Sequence, residues 1–333
     1  MINKKPKYSI VLCTLNGARK IEKSINSLLD QDFPKDKYEI IVVIDGSTDN
    51  TFQVISKFPI KIVRNKERKG VPYSRNVGLK NSTGEIIICF DDDCTASKNW
   101  LSKIDRFYND KKVMGVGSIL SLSSSPTLTD EYCFNAGYAN PVPTTLGKSS
   151  SILVRFISYL VTNFTNPQSR FIDGSTVFEL PGAMSSFRKK LIVEIGGWNN
   201  KFIYASEDLD LCRRLKKANM DKKFVVVPSA KVVHEQDLSF LGFIKKEFKR
   251  GATRKLYYNN KNEVPPYFPA PIIYIALLPI IILNFWIGLI LLPFLLYPWW
   301  IPRAIKENNI KMLFFPFMQL LHEGATVIGM LKI

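Results

Sequence analysis

An apolar run, Ile86-Ile87-Ile88-Cys89-Phe90, stops abruptly in three aspartates, Asp91-Asp92-Asp93. A run of that length and composition reads as a buried strand. Strand side chains alternate, so Asp91 and Asp93 fall on one side of the chain and Asp92 on the other. Two carboxylates so close repel each other, and one tends to keep its proton unless a cation sits between them. Hard oxygen ligands of this kind suit Mg²⁺ or Mn²⁺, an ion that commonly takes substrate phosphates as further ligands. Asp91 and Asp93 are therefore candidate metal ligands; the plainer alternative is a solvated acidic turn.

The segments around this run alternate. Tyr8–Thr14, Glu39–Ile44, Ile60–Val63 and Val113–Ile119 read as further strands. Ala18–Asp30, a stretch from about Asn50, Gly70–Asn81 and Trp100–Asn109 read as helices, with Pro72 near the start of the third. Strand-helix alternation with short loops predicts an α/β fold with a mainly parallel sheet and helices on both faces. Ligands of such sheets bind beyond the carboxyl ends of the strands, where Asp45 and Asp91–Asp93 both fall. Ser121–Ser175 breaks the pattern. It is rich in Ser, Thr, Asn and Pro, with one apolar patch at Ile152–Leu160, and reads as a long variable excursion. Order returns with an expected strand at Leu180–Phe187, a short helix at Lys189–Ile195 and a turn at Gly196-Gly197-Trp198. A helix is expected from Ser206 to about Ala218, then short strands at Lys223–Val227 and Lys231–His234. Glu207-Asp208-x-Asp210 opens that helix. Acids suit a first turn and Ser206 suits an N-cap, but a carboxylate there can also act as a general base.

The C-terminal part is different in kind. From Val264 to Pro302 no residue carries a charge, a stretch longer than the ~20 residues one membrane span needs. Pro271–Leu296 is expected to span once with a kink at Pro279, or Pro266–Trp300 to form a hairpin turning near Asn284. Lys311–Ile333 is a second apolar stretch, interrupted by His322-Glu323, and Trp286, Trp299 and Trp300 are candidate interface anchors. Before it, Lys245, Lys246, Lys249, Arg250, Arg254, Lys255 and Lys261 interleave with Phe240, Leu241, Phe243, Ile244 and Phe248. That pattern predicts a basic interfacial helix against membrane lipids, over residues 239–263, with a membrane region over 264–333. It accounts for the net charge of +17 without nucleic acid, for which no recognition motif is present. The amino-terminal residues lead straight into a strand, and the 5 cysteines show no metal-type spacing. The resulting expectation is a multi-pass cell-membrane protein with its catalytic part in the cytoplasm. Oligomeric state is not legible.

A series of short motifs carries a resemblance. Ser9-Ile10-Val11-Leu12-Cys13-Thr14-Leu15-Asn16, Val42-Val43-Ile44-Asp45-Gly46-Ser47-Thr48-Asp49-Asn50-Thr51, Ser74-Arg75-Asn76-Val77-Gly78-Leu79 and Asp91–Asp93 occur in that order. Leu180-Pro181-Gly182-Ala183, Gly196-Gly197-Trp198 and Glu207-Asp208-Leu209-Asp210-Leu211 complete the series. Together they resemble family 2 glycosyltransferases of the GT-A fold, over roughly residues 7–235. The resemblance implies a GT-A catalytic domain over 1–238, with 121–175 as a variable insertion, and an inverting, metal-dependent transferase. It implies that Thr14, Asn16, Asp45, Arg75, Asp91 and Asp92 bind a nucleotide-sugar and that Asp93, Asp91 and His234 hold Mg²⁺ or Mn²⁺. Gly182 and Trp198 would flank the acceptor, and Asp208, beside Glu207, would be the catalytic base. The implied acceptor is a lipid-linked saccharide or other glycan at the cytoplasmic face. The alternatives are charging of a polyprenyl phosphate and a catalytically silent membrane scaffold. One departure stands out: the family usually has two aspartates before Gly-Ser, whereas here Ile44 precedes a single Asp45. The Gln-x-x-Arg-Trp element of processive synthases is absent from the sequence, which favours addition of single sugars.

Overall fold

The computed structural model describes residues 5–137, 142–143, 164, 171–203, 205–235, 239–259 and 285–331. The chain divides into two compact units. The first comprises Met1–Ser124, Ala139–Thr144 and Phe171–Glu235. The second comprises Ser125–Tyr138, Thr145–Arg170 and Gln236–Ile333.

The first unit is built on one sheet. Its described strands are β1 (Tyr8–Thr14), β2 (Tyr38–Asp45), β3 (Lys61–Asn65), β4 (Ile86–Asp91), β5 (Cys94–Ala96), β6 (Val113–Ser121), β7 (Val142–Pro143), β8 (Ser175–Glu179), β9 (Ser185–Arg188) and β10 (Lys223–His234). They run in the order β3-β2-β1-β4-β9-β6-β10-β8-β7, with β5 beside β10. The helices are α1 (Ile21–Leu29), α2 (Thr51–Ile55), α3 (Val71–Asn81) and α4 (Trp100–Asp105). Past α5 (Leu128–Asn135), which belongs to the second unit, come α6 (Lys189–Glu194) and α7 (Glu207–Ala218).

Period-two alternation sorts the strand residues into two apolar layers. Tyr8, Ile10 and Leu12 of β1, Ile40 and Val42 of β2, and Ile86, Ile88 and Phe90 of β4 pack with Ile21, Ile25 and Leu28 of α1 and Trp100 and Ile104 of α4. Val11, Ile41, Val43, Ile87 and Cys89, one position out of phase, pack with Leu79 of α3, Ile192 of α6 and Leu211 and Leu215 of α7. Strands covered on both faces read as continuous apolar runs, as these do.

The sheet is mixed, which corrects the expectation of a mainly parallel one. β1, β2, β3 and β4 are mutually parallel, as are β6 and β10. β9, however, is antiparallel to both β4 and β6 between which it lies, and β5 and β8 are antiparallel to β10. Among the described elements β4 and β5, and likewise β7, β8 and β9, follow one another without a helix between them; antiparallel neighbours need no helical crossover. Of the expected strand Leu180–Phe187 only Ser185–Phe187 is extended, in β9, while Leu180–Met184 connect β8, which ends at Glu179, to it. Conversely, the two short strands expected at Lys223–Val227 and Lys231–His234 are one strand whose register slips between Val227 and Lys231. Pro228, with no N–H for the ladder, lies in that slip.

The second unit contains α5, α8 (Phe240–Asn259), α9 (Phe285–Leu296), α10 (Trp300–Lys306) and α11 (Phe315–Leu331). Its core includes Tyr132, Phe243, Tyr297, Trp299, Trp300 and Phe315. α8 and α11 cross at glycines: a Cβ on Gly251 would lie 2.2 Å from the Thr326 carbonyl oxygen, and one on Gly329 2.0 Å from that of Phe248. Glu247, fully buried in α8, is met by Arg250 at 2.7 Å, His322 at 3.3 Å and Arg254 at 3.5 Å.

The expected C-terminal transmembrane helices are overturned. Among the described residues no helix is long and apolar enough to cross a membrane. α9 has 12 residues and contains Pro293, and α11 has 17, short of the ~20 a span requires. Trp299 and Trp300 are core residues here and not interface anchors. His322 and Glu323 take part in side-chain contacts, Glu323 accepting from Tyr297 and Gln319 at 3.0 and 2.9 Å. The multi-pass localisation built on those helices is withdrawn with them. Residues 260–284, which include Lys261, Pro279 and Asn284, lie outside the described residues, as do most of the 121–175 excursion and its patch at 152–160.

Candidate active site

Three parallel strands of the first unit end side by side. Register pairs Thr14 with Ile44 across β1 and β2, and Cys13 with Asp91 across β1 and β4. Asp91 is thus the last residue of β4, with Asp92 and Asp93 in the turn that follows. β5 returns at once and pairs antiparallel with β10, setting His234 opposite Cys94. That register brings His234 to the acidic turn from 140 positions further along the chain, with its Nε2 3.0 Å from Asp93 Oδ1.

The three aspartates have separate surroundings. Asp92 is buried and accepts a 2.5 Å hydrogen bond from the Thr14 hydroxyl. Lys20, just before α1, places its ammonium 3.0 Å from Asp92 Oδ1 and 3.3 Å from Asp93 Oδ2. Burial holds the Asp92 carboxyl above its usual range despite Lys20 and Thr14. Burial alone would lower the Lys20 ammonium, but Asp93 and Asp92 together raise it. Gly17 makes room for this packing, since a Cβ there would lie 2.2 Å from Thr14 Oγ1 and 2.6 Å from Asp92 Oδ2. Asp91 is the more open carboxylate, with Arg75 3.6 Å away.

Arg75, buried in α3, joins this turn to the second acidic group. Its Nη1 donates to Glu207 Oε1 at 2.7 Å and its Nη2 to the Gly182 carbonyl at 3.0 Å. The Gly182 N–H in turn donates to Asp208 Oδ2 at 2.7 Å, and the Leu209 N–H to Asp208 Oδ1 at 2.9 Å. A Cβ at Gly182 would crowd this geometry, standing 3.0 Å from the guanidinium and 3.1 Å from Glu207. Arg75 thus connects the carboxyl end of β4 to the amino end of α7. Burial, reinforced by the charge of Asp208 and opposed by Arg75, raises Glu207 to about 7. Burial also raises Asp208, against Arg75 and the two backbone donors. One deprotonation of such a pair makes the next harder. Ser206 does not cap α7 as expected. It sits at φ +71° and its hydroxyl makes no cap bond, so the acids themselves face the helix's amino end.

Other expected site residues are placed differently. Asp45 is buried, accepting from Asn65 at 2.8 Å and from the N–H groups of Lys69 and Gly70 at 3.0 and 2.8 Å. It therefore anchors the loop after β3. Asn16, at φ +54°, accepts from the Thr48 N–H at 2.8 Å and receives no direct tie to the aspartates. Trp198 is buried in the apolar layer under α7, its backbone bonded to Asn76, and is not brought to the acidic pair. Lys20 was not legible as a site residue, since in sequence it is one lysine among several at a helix start.

The donor set is one that a divalent ion accepts. Asp93 and His234 offer an oxygen and a nitrogen 3.0 Å apart. Cis ligands of an octahedral ion with bonds of about 2.0–2.1 Å stand about 3 Å apart. The carboxylate oxygen suits Mn²⁺ or Mg²⁺, while the imidazole nitrogen favours a transition-metal ion such as Mn²⁺ over Mg²⁺. Cys94 lies in the same cluster within 4.8 Å. Burial pushes its thiol well up, which disfavours the thiolate a metal needs.

The glycosyl transferase family 2 model matches residues 9–196, and the chain belongs to that family. Glycosyltransferase AglE of Haloferax volcanii is 33% identical over 103 residues, 29% of this chain and 34% of AglE. A Methanococcus voltae dolichyl N-acetyl-alpha-D-glucosaminyl phosphate 3-beta-D-2,3-diacetamido-2,3-dideoxy-beta-D-glucuronosyltransferase is 33% identical over 125 residues, 34% of this chain and 39% of that enzyme. The matches thus span little more than a third of these relatives. Among solved structures, the mannosyltransferase PcManGT of Pyrobaculum calidifontis, in complex with GDP-Man and Mn²⁺, superposes with a TM-score of 0.61 at 17% identity, covering 99% of this chain and 88% of that one. The likeness is one of fold, a GT-A-like mixed α/β architecture.

Proposed function

We propose that this chain transfers a sugar, with inversion, from a nucleotide-sugar donor to a hydroxyl of a lipid-linked saccharide or other glycan. The observation that carries this reading is the Arg75 bridge, which links Asp91 to Glu207 and, through Gly182, to Asp208. The acidic turn assigned to the donor and the candidate base are thereby joined, by an ion pair at Asp91 and by hydrogen bonds at Glu207, Gly182 and Asp208. In this reading Asp91, Asp92, Thr14 and Arg75 orient the donor. Asp208 takes the proton of the acceptor hydroxyl as its oxygen bonds to the anomeric carbon; the bond from that carbon to the diphosphate breaks with its electron pair on the diphosphate. Asp93, His234 and Asp91 would hold a divalent ion, which when bound supplies positive charge for the departing diphosphate. Family membership and the name of the Methanococcus relative support a lipid-linked acceptor. Charging of a polyprenyl phosphate needs no base, because that oxygen is already ionised. A buried carboxylate pair with raised proton affinity, suited to general-base work near neutral pH, favours the hydroxyl.

The test is thermal stabilisation by a panel of nucleotide-sugars, with and without Mn²⁺ or Mg²⁺, followed by transfer assays on glycan acceptors. Stabilisation by one donor class that requires the ion, and is lost in Asp93→Ala, is the expected result. Ion-independent stabilisation unaffected by that substitution would remove Asp93 and His234 as metal ligands.

A further inference from the structure

Lys20 is absorbed neither by the motifs nor by the proposed chemistry, yet it touches the acidic turn. Its ammonium lies 3.0 Å from Asp92 and 3.3 Å from Asp93, and its side chain is 37% exposed. Asp92 also holds the Thr14 hydroxyl, and its backbone oxygen accepts from Ser24 of α1 at 2.8 Å. The start of α1 and the turn after β4 are therefore tied together at several points. We infer that Lys20 is a resident counter-cation of the metal-binding turn. It neutralises Asp92 and Asp93 when no ion is bound, and it competes with a divalent ion for Asp93.

The physical argument concerns charge. Paired carboxylates need a neighbouring cation to stay ionised together. An ammonium on Asp93 meets that need, so a divalent ion must share the carboxylate with it. The ion then binds a less negative turn against the field of a positive charge a few ångströms away. The partial exposure of Lys20 leaves its ammonium able to reach an anion arriving from solvent. A diphosphate therefore relieves the competition by offering Lys20 a second partner. Lys20 is thus a positioning residue that makes ion binding weak alone and dependent on the donor. This inference rests on the assignment of Asp93 to the ion in the proposed function.

The experiment measures Mn²⁺ binding to the full chain by electron paramagnetic resonance, with no nucleotide present. Lys20→Met should bind Mn²⁺ at least tenfold more tightly than the unaltered protein, while Lys20→Arg, which keeps the charge, should stay within about threefold of it. Thermal denaturation of both variants checks that they fold. If the Met variant does not fold, Lys20→Gln, equally neutral but more polar, takes its place with the same tenfold gain expected. Unchanged or weaker Mn²⁺ binding in Lys20→Met, with the unaltered protein binding normally, overturns the inference alone. Mn²⁺ binding to the unaltered protein that survives Asp93→Ala overturns the metal assignment as well.

Discussion

Each of the two units buries a glutamate against arginine, and the two carboxylates respond in opposite directions. Glu207, in the first unit, has Arg75 at 2.7 Å but also the neighbouring carboxylate of Asp208. Burial and that like charge outweigh the guanidinium, and the group is raised to about 7. Glu247, in the second unit, is also deeply buried, which by itself would raise it. His322, Arg254 and Lys246 outweigh that burial and hold it below its usual range. Burial therefore does not decide the charge of a carboxylate; the number and sign of the groups around it do. Glu247 is compensated as a structural ion cluster must be. Glu207 and Asp208 are left short of positive charge, a condition that costs stability and suits proton transfer.

The sharpest way to break this contrast is Asp208→Asn. The amide keeps the shape of the side chain but cannot take a proton. Loss of a positioned base typically costs about 10²–10⁴ in rate. Transfer should therefore fall by about that factor, with donor affinity measured by calorimetry kept within a few fold. A turnover that stays within a few fold of the unaltered protein would remove Asp208 as base and leave the acidic pair as packing.

The second test falls on the other glutamate. Glu247→Ala leaves Arg250, Arg254 and His322 facing one another without their common anion. Removing one partner of a buried ion cluster costs about 3–5 kcal/mol. Urea denaturation should show a loss of that order in the unit that holds α8 and α11. A loss under about 1 kcal/mol would mean that the arginines turn to water, and that the cluster is not the structural counterpart drawn above.

Much of the first unit was legible because its signals are local. Strands β1, β2 and β4 are apolar runs ended by polar residues, and the acidic turn follows directly from where β4 stops. The place of β9 was not legible. Ser185–Arg188 carries no mark of direction, and its antiparallel pairing depends on a long-range choice between β4 and β6. The Arg75–Glu207 contact spans 132 positions and has no periodic trace, so only the family pattern hinted at it. The surroundings of Asp45 were not legible for a related reason: its three protein donors appear only once the loop after β3 folds back. The apolar C-terminal stretch suggested membrane spans because hydropathy alone does not distinguish lipid from a protein core, and Trp299 and Trp300 lie in such a core.

The smallest effect concerns pH, and it has opposite signs at the two glutamates. Glu207 has a folded value raised from 4.5 to about 7. Its contribution to stability is fully present below its unfolded value, and is lost as pH rises through the folded one. Glu247 has a folded value below its unfolded one, so its contribution is present above the unfolded value and is lost as pH falls through the folded one. Glu207→Gln removes the titrating group yet leaves an oxygen for Arg75 to bond. Between pH 4.5 and about 7, the stability of the unaltered protein should decline with rising pH relative to that of Glu207→Gln. Urea midpoints measured for both at several pH values give that difference directly. A difference that is flat across the window would mean that Glu207 titrates alike in the folded and unfolded chains, so that Arg75 just offsets a burial that the cluster around Glu247 more than offsets.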